Sequence, residues 1–370
     1  MSVVGELNTS NRILMGPGPS DVHPRVLRAM ATPLIGHLDP EFVTIMDEIK
    51  GMVQATFQTN NHLTFVVSAP GSAGMETCLV NLLEPGDEAV ICIHGVFGGR
   101  MTDIAERCGA KVTKVEAPWG EPIDPKQLKE ALAKTKPKLV AIVHAETSTG
   151  VLQPLEEISE LVHDAGALLV VDAVTSYCGA DLKVDEWNID AIYSGTQKCL
   201  SAPPGLSPVS FSDRAVAVLE NRKTKVQSWF LDLSLVKNYW GGAKRAYHHT
   251  APVSAMYALR EAYRIVLAEG LDNRFARHKR NHELLKKGLE ALGFEFLVDE
   301  AYRLPMLNAV KVPEGVDEGT IRKRLLQEYN IEVGGGLGKF AGKIWRVGLM
   351  GESSTPNHVN VLVSALKDIM

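Results

Sequence analysis

The feature that most constrains the fold is an alternation of short apolar runs with amphipathic segments between about residues 60 and 250. The apolar runs are rich in β-branched residues and show little period-two alternation, which is typical of parallel strands covered by helices on both faces. The predicted strands are 90–93, 112–115, 139–143, 168–171, 191–193 and 209–211, and the predicted helices are 73–83, 99–107, 125–133 and 155–164. This alternation of strands and helices implies repeated right-handed crossovers between parallel strands. It therefore predicts an α/β fold built on a doubly wound sheet.

The pattern changes after about residue 251, where a long helical stretch leads into a second, smaller mixed pattern. This pattern consists of predicted strands at 306–312 and 344–347 and predicted helices at 320–329 and 358–369. A chain of 370 residues also exceeds the length at which single cores usually stop growing. We therefore predict an N-terminal arm (1–20), a large domain (21–255) and a small C-terminal domain (256–370) that a long helix links to the large one.

Charge and cysteine content exclude several classes of partner. The formal net charge of −5 argues against binding to nucleic acid. The five cysteines are odd in number and form no CxxC pair, which is typical of a reduced, cytoplasmic protein. No apolar stretch approaches the roughly 20 residues that a membrane helix needs, and the N-terminus lacks a signal-peptide pattern. We expect neither a membrane nor a nucleic-acid partner.

Three predicted strands end in polar residues. Thr147 and Ser148 follow one strand, Asp172 ends the next, and Gln197 and Lys198 follow a third. An aspartate at a strand end is by itself often a helix cap. However, ligands of open α/β sheets bind beyond the carboxyl ends of the strands, so these side chains together predict a site.

The positive charge of Lys198 and the negative charge of Asp172 together suit a site for pyridoxal phosphate. A lysine after a buried strand is partly desolvated, which lowers its pKa towards the range in which it can form a Schiff base. An aspartate nearby could keep the pyridine nitrogen of that cofactor protonated. The segment Pro70, Gly71 and Ser72 opens a helix whose N-terminus could bind a phosphate. Considered alone, Gly71 is also compatible with an ordinary helix start.

Two other motifs are weaker. Gly336, Gly338 and Ala341 match the dinucleotide-binding spacing, but no strand–helix–strand unit follows, so a loop is favoured. His278 and His282 lie four residues apart on a predicted helix, but the neighbouring glutamate does not fit zinc-protease spacing, and we expect no metal.

Arg346 lies within a predicted buried strand, in the segment KIWRVGLMG. A buried guanidinium normally pairs with a carboxylate because its planar fork fits two carboxylate oxygens. The partner could be an internal acid or a substrate carboxylate, and the sequence leaves both open.

An ordered set of motifs extends over nearly the whole chain: MGPGPSDVHPRVL, IMDEIK, FQTNN, VNLLEPGD, HAETSTGVLQPL, VDAV, YSGTQKCLSAPPG, YHHTAPVSAMYALREA and GKIWRVGLMG. With these motifs the chain resembles the class V, fold-type I pyridoxal-phosphate aminotransferases, specifically the alanine:glyoxylate and serine:pyruvate or serine:glyoxylate group. The resemblance implies a large domain with a mostly parallel, seven-stranded sheet and a smaller C-terminal α/β domain. It also implies ping-pong transamination between alanine or serine and glyoxylate or pyruvate.

The same resemblance assigns roles to the residues at and near these strand ends. Lys198 would be the Schiff-base lysine, and Asp172 would pair with the pyridinium nitrogen. Phe97 and Val174 would pack on the two faces of the ring, and Thr147 would lie near its hydroxyl group.

The phosphate and the substrate would be held at the ends of the cofactor. Gly71, Ser72 and Gln197 would bind the phosphate, together with Tyr247 and Thr250 of the partner subunit in a homodimer with shared active sites. Arg346 would bind the substrate α-carboxylate. The chain departs from many relatives in reading APGSAGME, where Pro70 removes a backbone donor from the phosphate loop.

Two alternative activities are compatible with the same fold and cofactor. The (S)-ureidoglycine:glyoxylate group shares stretches such as TPLIGHLDPEF, but this chain has His37 and Tyr247 where that group carries glutamine and asparagine. Cysteine desulfurases carry a histidine over the ring, another before the lysine and a late mobile cysteine. Here the corresponding residues are Phe97 and Gln197, and no cysteine follows Cys199.

Overall fold

The computed structural model describes residues 4–241 and 245–370. The strands are β1 Ile13–Leu14, β2 Leu63–Val67, β3 Glu88–Ile93, β4 Lys111–Glu116, β5 Leu139–Val143, β6 Ala145–Glu146, β7 Val151–Leu152, β8 Leu168–Asp172, β9 Ala191–Tyr193, β10 Ser207–Phe211, β11 Glu295–Phe296, β12 Leu307–Lys311, β13 Ile331–Glu332, β14 Gly334–Gly335 and β15 Ile344–Gly348. The α-helices are α1 Pro24–Met30, α2 Pro40–Phe57, α3 Gly71–Leu82, α4 Val96–Arg107, α5 Pro125–Leu132, α6 Glu156–Asp164, α7 Asp213–Glu220, α8 Leu233–Trp240, α9 Val253–Glu269, α10 Leu271–Glu290, α11 Glu318–Glu328 and α12 Pro356–Ile369.

The main sheet has seven strands in the order β2-β10-β9-β8-β5-β3-β4. Only β10 runs against the others, since it pairs antiparallel with both β2 and β9. The predicted α/β fold with a mostly parallel, seven-stranded sheet is therefore confirmed. The five residues of β8 are all buried, as expected for a strand covered on both faces.

A second, four-stranded antiparallel sheet lies in the C-terminal part of the chain, in the order β11-β12-β15-β14. The N-terminal strand β1 pairs with β13 of this region, with Ile13 opposite Ile331. The backbone N–H of Gly348 also donates to the carbonyl of Met15 at 2.7 Å. The N-terminal segment is thus attached to the C-terminal part of the protein.

The helical stretch after residue 251 forms two helices instead of one long helix. Gly270 separates α9 from α10 and has a φ of +81°, a conformation that glycine adopts without steric cost. The helical periodicity continues across this residue, so the sequence pattern did not show the break.

Buried apolar side chains form two separate clusters. The larger one surrounds the main sheet and includes Val140, Val170 and Ile192. The smaller one packs α10, α11 and α12 on the second sheet, around Leu285 and Trp345. The division into an arm, a large and a small domain at residues 20 and 255 stays a prediction. Within the described ranges, no helix is long and apolar enough to span a membrane.

Candidate active site

Strand register brings the polar strand ends to one level of the main sheet. Val143 of β5 lies opposite Asp172 of β8, and Asp172 lies opposite Tyr193 of β9. These strands are parallel, so their carboxyl ends meet at one edge, where open α/β sheets bind ligands. Lys198 follows the carboxyl end of β9 by five residues, so its backbone lies at the same edge.

Asp172 is fixed by hydrogen bonds to both of its carboxylate oxygens. The backbone N–H of Val174 donates to Oδ1 at 2.8 Å, and the Tyr193 hydroxyl donates to Oδ2 at 2.8 Å. Only 2% of the residue is exposed. Burial raises the pKa of Asp172 to about 6, against the effect of these hydrogen bonds and of nearby Lys198. The carboxylate is therefore oriented, and burial strengthens its interaction with any cation beside it.

Lys198 is a buried amine in close contact with the N-terminal segment. Its Nζ donates to the carbonyl of Pro17. A side chain at residue 18 would collide with it, because a Cβ built on Gly18 would lie 2.5 Å from Nζ. Burial, reinforced by the Arg346 guanidinium, lowers the pKa of Lys198 to about 8. About a tenth of this amine is therefore neutral and nucleophilic at pH 7, far more than for an ordinary lysine.

The residues expected around the ring lie on three different elements. Val174 follows Asp172, and Phe97 lies half-buried in the first turn of α4. The Arg100 guanidinium carbon lies 5.0 Å from the centre of the Phe97 ring. Thr147 is buried in the loop after β6 and exchanges a hydrogen bond with the hydroxyl of Thr175.

The expected phosphate-binding end has free donors and space for a ligand. Gly71 and Ser72 are the first residues of α3, so their N–H groups have no acceptor within the helix. A Cβ on Gly71 would lie 3.3 Å from Val174 Cγ2 and 3.4 Å from Gly195 Cα, so a side chain here would be tightly packed against both residues. The buried Oε1 of Gln197 has no hydrogen-bond partner among the described residues.

Pro70 does not remove a hydrogen-bond donor from the expected phosphate-binding end. It is the residue before the first turn of α3, with extended backbone angles, and its own missing N–H would lie outside the helix. The donors at Gly71 and Ser72 remain, and the Ser72 hydroxyl accepts a hydrogen bond from Arg100 at 3.1 Å. The residues present therefore fit a phosphorylated, planar cofactor.

Arg346 extends from β15 towards the main sheet and is 7% exposed. Its Nε donates to the carbonyl of Gly335 at 2.8 Å and its guanidinium approaches the carbonyl of Thr147 at 3.4 Å. Among the described residues no carboxylate lies within 4.0 Å of it, whereas many other arginines have such a partner. Burial lowers the pKa of Arg346 from its ordinary value. The internal salt bridge considered from the sequence is therefore absent from the described ranges.

Glu146 is a buried carboxylate that the sequence analysis did not identify. It is fully buried, and the backbone and hydroxyl of Ser148 donate to its Oε1 at 3.0 and 2.6 Å. Burial raises the pKa of Glu146 to about 7, although these hydrogen bonds oppose the shift. The sequence did contain a signal for it, because Glu146 in HAETSTG directly precedes Thr147 and Ser148, the polar residues that follow a predicted strand.

Tyr247 and Thr250 are both exposed on the single chain. Tyr247 is 63% exposed, and its ring centre lies 5.5 Å from that of His37. Neither side chain makes a hydrogen bond to the described part of the same chain. Their expected contribution to the active site of a partner subunit stays a prediction.

The weaker motifs have structural explanations. The Nδ1 of His278 bonds to the carbonyl of Arg274 and its Nε2 accepts from the N–H of Gly351. His282 bonds to the amide oxygen of Asn308 at 2.6 Å. Across residues 4–241 and 245–370, no group of three acidic, histidine or cysteine side chains could hold a metal ion. The segment with the glycine pattern forms a loop between β14 and β15, as expected.

Comparison with known proteins identifies the family. The family model described as aminotransferase class-V matches residues 16–344. The (S)-ureidoglycine–glyoxylate transaminase of Bacillus subtilis (strain 168) is 40% identical, over 100% of this chain and 93% of its own. The alanine–glyoxylate aminotransferase of Rattus norvegicus is 43% identical, over 98% and 89%. The crystal structure of an alanine–glyoxylate aminotransferase from Nostoc sp. is 48% identical and superposes with a TM-score of 0.97, over 99% and 97% of the two chains. The chain therefore belongs to the class-V aminotransferases and is a pyridoxal-phosphate-dependent transaminase.

Proposed function

We propose that the protein transfers the amino group of alanine or serine to glyoxylate or pyruvate in a ping-pong reaction. The observation that supports this best is the buried guanidinium of Arg346, which lacks a carboxylate partner among the described residues. A buried cation is costly unless an anion pairs with it. An α-carboxylate, which amino acids and 2-oxo acids share, would supply that anion in both halves of the reaction.

When bound, pyridoxal phosphate supplies a ring that accepts the electrons of the substrate's α C–H bond. In our proposal Asp172 would hold a proton at the pyridine nitrogen, and Phe97 and Val174 would enclose the two ring faces. Thr147 would lie beside the ring hydroxyl. Gly71, Ser72 and Gln197 would hold the phosphate.

The amine of Lys198 then acts as a general base at the substrate α-carbon. Its pKa of about 8 is close to neutral pH, where a base combines a usable neutral fraction with sufficient basicity. Because Arg346 fixes the substrate carboxylate, the α C–H bond is held in one orientation with respect to the amine.

We also propose that the enzyme is a cytoplasmic homodimer in which Tyr247 and Thr250 of the partner subunit complete each phosphate site. The exposure of these two residues on a single chain supports this assignment. All five cysteines are free thiols and buried, which fits a reducing compartment.

The identity of the amino donor is tested by comparing three substrates. Relatives that are named for alanine and for ureidoglycine are similarly close to this chain, so family membership does not select between them. The aromatic contact of His37 with Tyr247 replaces the two amide side chains expected for a ureidoglycine enzyme, which favours a small donor.

We expect kcat/KM with glyoxylate as acceptor to be at least about tenfold higher for L-alanine or L-serine than for (S)-ureidoglycine, because one apolar contact changes discrimination by about this factor. The measurement is initial-rate kinetics with each donor at fixed glyoxylate. A preference for ureidoglycine would instead support the alternative activity. L-Cysteine with sulfide detection serves as the control for a desulfurase.

Replacement of Arg346 by glutamine should raise KM for L-alanine about 100-fold and change kcat much less, because a charge-assisted pair with the substrate is lost. Ethylamine, which is alanine without its carboxylate, should react equally slowly with the variant and the wild type. Arg324→Gln on the exposed face of α11 is the matched control. An equal loss with alanine and with ethylamine would contradict carboxylate binding by Arg346.

A further inference from the structure

The N-terminus of α4 lacks the side-chain cap that most helices of this protein have. Its cap residue is Gly95, which offers no side-chain acceptor for the first N–H groups. By contrast, α2, α5, α7 and α8 are each capped by an aspartate or serine of their own chain segment. The first turn of α4 therefore depends on acceptors from elsewhere.

Glu146 of β6 and Ser148 in the turn after it supply these acceptors. The N–H of Val96 donates to the Ser148 hydroxyl at 3.0 Å, and the N–H of Phe97 donates to Glu146 Oε2 at 3.2 Å. The Ser148 hydroxyl in turn donates to Glu146 Oε1 at 2.6 Å. Glu146 also places a carboxylate at the positive end of the α4 dipole. Helix α4 is thus capped by residues about 50 positions later in the chain.

The capped turn carries side chains that face the candidate site. Phe97 is the expected ring-stacking residue, and Arg100, one turn later, donates to the Ser72 hydroxyl at the expected phosphate position. Displacement of the first turn of α4 would move both side chains. The position of the cap therefore determines the position of Phe97, which would contact the cofactor, and of Arg100, which contacts Ser72.

We propose that Glu146 is a positioning residue of the transaminase, which caps α4 from strand β6 and so holds Phe97 against the cofactor and Arg100 against Ser72. This inference rests on the proposed roles of Phe97 and Ser72. It assigns Glu146 no direct contact with substrate or cofactor.

The local packing requires this carboxylate specifically. Three donors point at Glu146, namely the N–H of Phe97 and the N–H and O–H of Ser148, and a carboxylate is the side chain that accepts at both oxygens. Glutamine has almost the same shape but carries one NH2 group, which would face a donor on one side. A Cβ on Gly95 would overlap Glu146 and lie 2.5 Å from Ser148 Oγ, so the glycine is required for this close approach.

The first test is hydrogen exchange of the cofactor-free protein followed by mass spectrometry. In Glu146→Gln, the peptide that covers residues 95–101 should exchange about tenfold faster than in the wild type, as expected for a lost cap. Peptides from α5, which has its own Asp124 cap, should be unchanged. Equal exchange of residues 95–101 in both proteins would overturn the proposal.

The second test is a double-mutant cycle measured as the Kd of pyridoxal phosphate for the cofactor-free protein. Glu146→Gln and Phe97→Leu should each raise Kd about tenfold, and the double variant should show no more than the larger single effect. Multiplicative effects would show that Glu146 does not act through Phe97 and would overturn the proposal. A purely structural role would lower the melting temperature without this coupling.

A second variant keeps the proposal testable if Glu146→Gln does not fold. Ser148→Ala removes the acceptor of the Val96 N–H and one donor to Glu146, and the same peptide should then exchange severalfold faster. Unchanged exchange in this variant would count against the cap. If the exchange changes while the Lys198 variant described below keeps its activity, the proposed function fails but the capping role stands.

Discussion

Replacement of Lys198 by alanine should reduce transamination by at least about 10⁴-fold, because the general base and the nucleophilic amine are lost together. The amine donates to the carbonyl of Pro17, and only 9% of the residue is exposed. Water cannot readily replace it at this buried position.

The measurement is single-turnover kinetics with L-alanine followed by glyoxylate, together with borohydride reduction and peptide mapping of the wild type. The reduced cofactor should be attached to Lys198 in the wild type. Lys183→Ala, an exposed lysine paired with Glu186, is the matched control and should keep full activity. Activity of Lys198→Ala within tenfold of the wild type would refute the assignment.

The pH dependence of this step follows from the shifted pKa. The folded-state pKa of Lys198 is depressed to about 8, so the neutral amine increases as pH rises through 8 instead of through the ordinary value near 10.5. In the cofactor-free protein, addition of pyridoxal phosphate to this amine should therefore accelerate between about pH 7 and 9 and then level off.

The second large effect is expected for Asp172→Asn, which should lower kcat about 10³-fold because a neutral amide cannot hold a protonated pyridine nitrogen. Asparagine keeps the fold, since its oxygen can accept from the Val174 N–H and its amide can donate to the Tyr193 hydroxyl. The defect should therefore lie in the chemistry and leave the melting temperature nearly unchanged.

Tyr193→Phe is the matched control for this prediction. It removes one hydrogen bond to Asp172 but keeps the carboxylate, so a loss of no more than about tenfold is expected. Steady-state kinetics and thermal unfolding of both variants separate the two effects. If Asp172→Asn were as active as Tyr193→Phe, the carboxylate charge would have no role in catalysis.

The sequence predicted the architecture well where each element has its own local signal. The buried β-branched runs indicated the parallel strands, and their polar ends indicated where Asp172 and Lys198 would lie. Arg346 was recognised because a guanidinium in a buried strand is costly without a partner. These inferences require only neighbouring residues and the rule that parallel strands end at the same edge.

Other features could not be predicted because they depend on contacts between distant segments. Glu146 ends the two-residue strand β6, and its importance appears only when α4, about 50 residues earlier, packs against it. The strand Leu63–Val67 was also missed, and its pairing partner β10 lies more than 140 residues away. The break at Gly270 is conformational and leaves the helical pattern on both sides unaltered.

The pairing of β1 with β13 bears on how the protein is synthesised. Strand β1 joins the C-terminal part of the chain, and six residues after its end Ser20 donates to the carbonyls of Gln197 and Lys198. The ribosome makes this segment long before its partner Ile331. The surroundings of the lysine can therefore be completed only after β13 has been made, so a nascent chain that still lacks β13 would not carry a finished active site.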